Sequence, residues 1–354
     1  MQGMQELPST LWLWPMVFIA AVLLTGGLRR LALQRRVLDV PVARSAHSIP
    51  TPVGGGLSIV VLFVLLSTWF ALQGFISSTL YLGLAGAVIV AAVGLLDDLY
   101  QLHALWRMPL HFAAAIWSVW WLGDIPPIGI GDFLVDQQWL LKVLAVLALV
   151  WLLNLYNFMD GIDGIAATEL IFANLASVFL IQIASSMEYA LISSTASTEV
   201  ALISLILISG AAGFLVWNWP PAKIFMGDVG SGFSGFALGL LAIVSMQSGL
   251  MTVWTWVILL GVFVTDSTFT LLRRLLRGDP WYEGHSSHAY QHAARLYKSH
   301  GKVTITILLV NCLWLAPLAW LSVWRPELGF FLSLIALTPL VFAAYRLQAG
   351  TGGN

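Results

Sequence analysis

Eleven predominantly apolar stretches follow one another along this chain, each close to the length at which a helix spans a bilayer and separated by polar connectors. A helix needs about 20 mainly apolar residues to cross the hydrocarbon core, and within lipid only a helix or a closed barrel satisfies its own backbone. The stretches lie at 10–28, 53–73, 79–96, 108–123, 138–157, 165–186, 199–217, 231–247, 251–272, 302–323 and 328–346, with 108–123 the shortest. They predict an all-α, polytopic integral membrane protein of about 11 transmembrane helices. Composition supports this: 59% of residues are hydrophobic and 9% charged, whereas a soluble globule is about 45–50% apolar and about 25% charged. No short repeat, low-complexity tract or soluble domain stands out, so residues 1–354 read as one polytopic domain. The first run follows Glu6 rather than a basic segment, and Arg29 and Arg30 come after it. It therefore reads as a retained helix and not as a cleaved leader.

Lys and Arg orient the spans. Fourteen of the 16 fall in one set of loops; the exceptions are Arg325 and Lys142. The connectors 124–137 and 187–198 carry Asp124, Asp132, Asp136 and Glu188 and no base. The N-terminus is thus expected outside and the C-terminus in the cytoplasm. A net charge of −1 suggests no nucleic-acid partner. The only cysteine, Cys312, lies in an apolar run and reads as packing, with neither a disulfide framework nor a zinc cluster.

Topology then sorts the polar residues. Five clusters fall at the cytoplasmic ends of different spans: Arg44 and His47 with the Pro50–Gly56 stretch, which holds Thr51; Asp97-Asp98; Asn154 through Gly164; Asn218 and Lys223 with Phe225–Ser231; and Gly284–His288. Acids at a membrane boundary are costly and usually functional. Adjacent Asp97 and Asp98 raise one another's pKa unless a cation neutralises them, and one of the two could serve as a base. In NFMDGIDG, a helical continuation would put Asn157, Asp160 and Asp163 on one face. In FMGDVGS, Asp228 sits between glycines where a helix opens, and such an N-terminus is a ready anion site. Mg²⁺ prefers hard oxygen ligands, usually one or two carboxylates together with substrate phosphates. Acids, glycines and a membrane boundary together point to a phosphate-bearing, metal-bound substrate. No Walker pattern is present. The basic loop 273–301, containing Arg277, His285 and His288, reads either as a surface touching anionic lipid or as a pyrophosphate clamp.

The motifs RSAHSIPTPVGGG (44–56), GLLDD (94–98), NLYNFMDGIDG (154–164), WNWPPAKIFMGDVGS (217–231) and RGDPWYEGHSSH (277–288) occur in the order of a known family. The chain resembles the polyprenyl-phosphate N-acetylhexosamine-1-phosphate transferases, the superfamily of MraY and WecA, and is closest to the WbpL-like O-antigen initiating branch. The resemblance implies that undecaprenyl phosphate attacks a UDP-activated amino sugar (GlcNAc, FucNAc or QuiNAc type) and that UMP is released. It implies Mg²⁺, with Mn²⁺ able to substitute, in a bacterial inner membrane with the site facing the cytoplasm. Asn157 and Asp228 match metal-ligand positions; Asp97, Asp98, Asp160, Asp163, His285 and His288 match catalytic ones. Arg44, His47, Thr51, Arg107, Asn154, Asn218, Lys223 and Arg277 are the substrate-binding candidates. Loops 29–52, 97–107, 158–164, 218–230 and 273–301 would form the site, and a homodimer is compatible with this reading. The histidines lack the adjacent pair typical of MraY, which makes a murein precursor the second choice. A proton-coupled transporter would instead place acids at mid-span within an inverted repeat, and a scaffold would need none of these acids.

Overall fold

The computed structural model describes residues 12–41, 49–185, 194–279 and 285–352. Arg44 and His47 lie outside the described residues. The helices are Leu13–Arg35 (α1), Leu57–Leu72 (α2), Ser78–Tyr100 (α3), Ala104–Leu122 (α4), Gln138–Met159 (α5), Ile165–Ser185 (α6), Ser194–Asn218 (α7), Asp228–Gln247 (α8), Val253–Leu259 (α9), Gly261–Arg277 (α10), Ala289–Tyr297 (α11), His300–Val310 (α12), Ala316–Trp324 (α13) and Gly329–Arg346 (α14). A π-helical turn, Asn311–Leu315, joins α12 to α13. There are also two short antiparallel strand pairs: Leu38–Asp39 (β1) pairs with Thr51–Pro52 (β2), and Ile128–Ile130 (β3) with Phe133–Val135 (β4).

The protein is an all-α polytopic membrane protein. Among the described residues, eight helices are long and apolar enough to cross a membrane, or nine if the bent pair α9–α10 is one span. The run at 53–73 forms a helix of only 16 residues, α2. The short run at 108–123 is the C-terminal part of α4, which begins earlier and takes in Arg107. The expected span 251–272 falls on the bent pair α9–α10. Its helix breaks at Leu260 and turns by 83°. Physically, α9 is wholly apolar apart from one threonine, whereas α10 carries Asp266, Arg273, Arg274 and Arg277 among its apolar residues. A segment with that many charges does not continue straight into hydrocarbon.

Burial identifies the axis of the bundle. In α8, 89% of the apolar window is buried, against 28% in α1 and α14. Lipid supplies little hydrophobic drive between helices, so close packing of small residues must hold them together. The α8 sequence DVGSGFSGFALG offers Gly232, Ser234, Gly235 and Gly239 for that purpose, and all four are buried. Its neighbours are α3, α5, α7 and α2, with Phe63 of α2 edge-on to Phe233 at 5.0 Å. The last turns of α3 and α5 and the first turn of α8 meet at one end of the bundle, where the acidic motifs lie.

Candidate active site

Asp228 opens α8, and its carboxylate is held from two sides. Arg107 of α4 donates through Nη1 to Asp228 Oδ2 at 2.7 Å and through the same nitrogen to Asp97 Oδ2. Asn157, in the last turn of α5, donates through Nδ2 to Asp228 Oδ1 at 2.7 Å and to Ser231 Oγ at 3.3 Å. Four helices, α3, α4, α5 and α8, thus meet around a cavity of about 50 Å³ lined by Gly94, Arg107, His111, Asn154, Asn157 and Asp228, among others.

Asp98 is used differently from its neighbour. Its Oδ1 accepts the N–H of Asp228 at 2.9 Å and its Oδ2 that of Val229 at 3.1 Å. It therefore caps α8 from another helix and satisfies donors that every helix start leaves open. The free anion site expected at this N-terminus is already filled by an aspartate of the chain. Gly227, with φ of +77°, makes the turn, and a Cβ there would lie 2.5 Å from Asp98 Oδ2. Both conformation and space demand glycine. The glycines before α2 buttress the same loop: Gly55 and Gly56 donate to Phe225 and Met226 carbonyls at 2.9 Å, and Phe225 donates to Pro52 at 2.8 Å.

NFMDGIDG is only partly helical. α5 ends at Met159, and Gly164 adopts φ of +78°. Asp160 and Asp163 therefore do not share a helical face, in contrast to the sequence expectation. The glycines end the helix and let the two acids part. Asp160 is pushed well above the usual carboxylate range, by burial first and then by Asp228, Asp98 and Asp163. Asp163 instead ties loops together. It lies 3.2 Å from His300 Nδ1 and accepts from Ala222 N at 3.0 Å, while its carbonyl receives the Thr304 hydroxyl.

The histidine loop docks on the other side of the same segment. His285 stacks on His288 with centroids 4.9 Å apart, Phe158 lies 6.0 Å from His288, and the Tyr290 hydroxyl donates to Phe158 O. His288 is only 3% exposed. Its Nδ1 faces Asp266 Oδ1 at 3.3 Å, and Asp266 also accepts from Ala289 N, Tyr290 N and Thr270 Oγ1. His285 is the more accessible ring. Burial, then His288 and Arg274, lower its pKa to about 3, so near pH 7 it offers a neutral imidazole and no positive charge.

The remaining candidates have local partners. Asn154 donates to Val150 O in its own helix while lining the cavity. Asn218, 3% exposed, accepts from Gly164 N at 2.9 Å and donates to Ile224 O at 3.0 Å. Thr51 donates to Ile49 O. Lys223 lies over the Trp217 ring at 5.7 Å. Arg277 donates to Gly350 O at 3.1 Å and holds the C-terminal tail. Asp266, His111 and Ser231 were not singled out from sequence as site residues. Asp266 left a usable signal, because it is the only acid in the run 251–272, and an ionisable residue in such a segment calls for a partner.

Among the described residues, no three His, Cys, Asp or Glu side chains converge as a ready metal cage. A Mg²⁺ ion needs no such cage, since one or two carboxylates and substrate phosphates suffice. The donor set fits that demand. Asp97 and Asp228 are hard oxygen donors on one guanidinium, Asp160 is close enough to feel the charge of Asp228, and Asn157 adds an amide oxygen.

Comparison with known proteins gives a consistent picture. The family model described as glycosyl transferase family 4 matches residues 80–246. A probable undecaprenyl-phosphate N-acetylglucosaminyl 1-phosphate transferase of Bacillus subtilis is 29% identical over 307 residues, covering 83% of this chain and 79% of its own. A decaprenyl-phosphate N-acetylglucosaminephosphotransferase of Mycobacterium leprae is 29% identical, covering 80% and 77%. A phospho-N-acetylmuramoyl-pentapeptide-transferase of Halalkalibacterium halodurans is 32% identical over a shorter stretch, 36% of this chain and 38% of its own.

Proposed function

The chain belongs to the polyprenyl-phosphate hexosamine-1-phosphate transferase superfamily, and from that premise we propose that it moves an N-acetylhexosamine-1-phosphate from a UDP-amino sugar to undecaprenyl phosphate. The names of the two relatives that align over most of the chain favour N-acetylglucosamine as the sugar. The reaction would face the cytoplasm of a bacterial inner membrane, within one polytopic domain, and would initiate O-antigen or a related surface polysaccharide. The observation that carries the reading is the Asp97–Arg107–Asp228 bridge with Asn157 beside it.

In the proposed step an oxygen of the acceptor phosphate attacks the β-phosphorus of the donor. The bond from that phosphorus to the oxygen shared with UMP breaks, and UMP leaves with the electron pair. Such a transfer is mostly positioning and charge neutralisation. A bound Mg²⁺, held by Asp228 and the Asn157 amide oxygen, would supply Lewis-acid neutralisation of the donor pyrophosphate. Asp98 has both oxygens on the α8 backbone, which leaves Asp97 to take the acceptor's proton. Arg107, held between Asp97 and Asp228, orients both and can turn to a phosphate. His285 contributes a neutral N–H at the far side of Phe158.

The test is an assay of membranes containing the protein with Mg²⁺, undecaprenyl phosphate and radiolabelled UDP-sugars. Lipid-linked label from UDP-N-acetylglucosamine, with UMP released in equal amount, is the expected result. No label from UDP-N-acetylglucosamine, UDP-FucNAc or UDP-QuiNAc sinks the reading, and label only from UDP-N-acetylmuramoyl-pentapeptide moves the chain to peptidoglycan synthesis.

A further inference from the structure

Away from the acidic cluster, two cavities meet at Trp219. The first is a cleft of about 780 Å³ at the same end of the bundle, lined by Arg295, Lys298 and Lys302 together with the Asp163–His300 pair. The second is a groove of about 740 Å³, almost wholly apolar, between α6 and the α12–α13 rod. Trp219 lines both. Phe172, Leu175 and Phe179 form one wall of the groove, and Leu308, Cys312 and Trp320 the other. Ile305 lies in the cleft and Trp320 at the far end of the groove. The step of 15 positions from one to the other corresponds to about 22 Å of helix, near the length of one extended acyl chain.

Charge decides what kind of molecule fits. Among the described residues, Asp163 is the only acid lining the cleft, and it is already engaged by His300 and Ala222 N. Among the described residues, neither Lys298 nor Lys302 forms an ion pair, and both are exposed. Unmatched cations at the mouth of an apolar trough match a phosphate headgroup with a hydrocarbon tail, the usual chemistry of basic pockets between spanning helices. A second copy of this chain seated symmetrically would bring Lys298 and Lys302 against their own counterparts. Among the described residues, the cleft also shares no lining residue with the cavity at Asp228, so a phosphate held there is not presented to Asp97.

We propose that cleft and groove form a binding site for one anionic glycerophospholipid, separate from the substrate site. Its phosphate sits between Lys298 and Lys302, and one acyl chain runs along α6 and α12–α13. The site does not depend on the transferase reading, because it is read by binding and not by turnover.

Cys312 is the only cysteine of the chain; it is exposed and lines the groove, so it reports occupancy directly. The full chain, purified in a neutral detergent, is labelled with a maleimide while phosphatidylglycerol, phosphatidylethanolamine or inorganic phosphate is added. Native mass spectrometry counts the bound lipid. Phosphatidylglycerol is expected to bind one per chain and to slow labelling, and inorganic phosphate to leave it unchanged. Lys298→Gln and Lys302→Gln should each weaken phosphatidylglycerol about fivefold, the equivalent of one charge near an anionic headgroup. Leu175→Trp, which fills the groove without touching the cations, should lose the lipid as well. Equal protection by phosphatidylethanolamine overturns the proposal, as does an unchanged affinity in the double lysine variant. Loss of the lipid in Asp228→Asn assigns it to the substrate site instead, and protection confined to a dimeric fraction without lipid assigns the groove to a second copy.

Discussion

Around Asp228, two carboxylates share a single guanidinium, whereas around Asp266 a single carboxylate receives four donors. The first arrangement is under-neutralised. Among the described residues, Arg107 is the one guanidinium on Asp97 and Asp228, Asp98 is taken up by the α8 backbone, and Asp160 is pushed upward by burial first and then by Asp228, Asp98 and Asp163. The second is saturated, with His288, Ala289, Tyr290 and Thr270 all directed at Asp266. Only the first has oxygens and negative charge left for a ligand. The second uses its polarity to fix a loop.

The largest effect that could break this contrast is loss of the shared carboxylate. Asp228→Ala should lower turnover by about 10³-fold or more while the protein still accumulates folded in membranes; retained activity would show that Asp228 holds no metal. Next come the adjacent acids, which the structure separates by role. Asp97→Asn is expected to cost about 10²–10⁴-fold in kcat, the range for a lost general base, with an unchanged melting temperature. Asp98→Asn should instead lower thermal stability, by about 1–2 kcal/mol as for a lost helix cap, together with activity. Identical behaviour of the two variants removes the distinction drawn between them.

At Asp266 the expected effect is structural. Asp266→Ala leaves buried donors without an acceptor, which costs about 1–3 kcal/mol, read as a lower melting temperature and faster hydrogen exchange in α11. The smallest effect concerns His285. Its folded pKa, near 3, lies below the ordinary 6.5. The neutral ring's contribution to stability is therefore complete above pH 6.5 and is lost as pH falls towards 3. NMR of labelled histidine should show a neutral His285 from pH 5 to 8; titration near 6.5 contradicts the geometry.

Much of this was legible in the sequence. The apolar runs gave the all-α polytopic fold, because length and hydropathy act locally. Asp97, Arg107, Asn157 and Asp228 were all singled out, and the bundle brings them together. Three features were not legible. The helix break at Leu260 depends on how Asp266 and the arginines of α10 find partners, which run length does not encode. The trans-cap of α8 by Asp98 requires knowing that α3 ends beside α8. The contacts by which Asp163 and Asn218 stitch loops 157–164, 219–224 and the start of α12 together join positions far apart in sequence.

The most direct measurement is of metal binding, free of any assumption about the sugar. Mn²⁺ in place of Mg²⁺ is titrated into the purified chain with the UDP-sugar present and followed by electron paramagnetic resonance. One bound Mn²⁺ per chain is predicted, abolished by Asp228→Asn and weakened by Asn157→Ala, but retained in Asp163→Asn, whose acid ties loops together. Mn²⁺ binding that survives Asp228→Asn and disappears in Asp163→Asn would contradict the account.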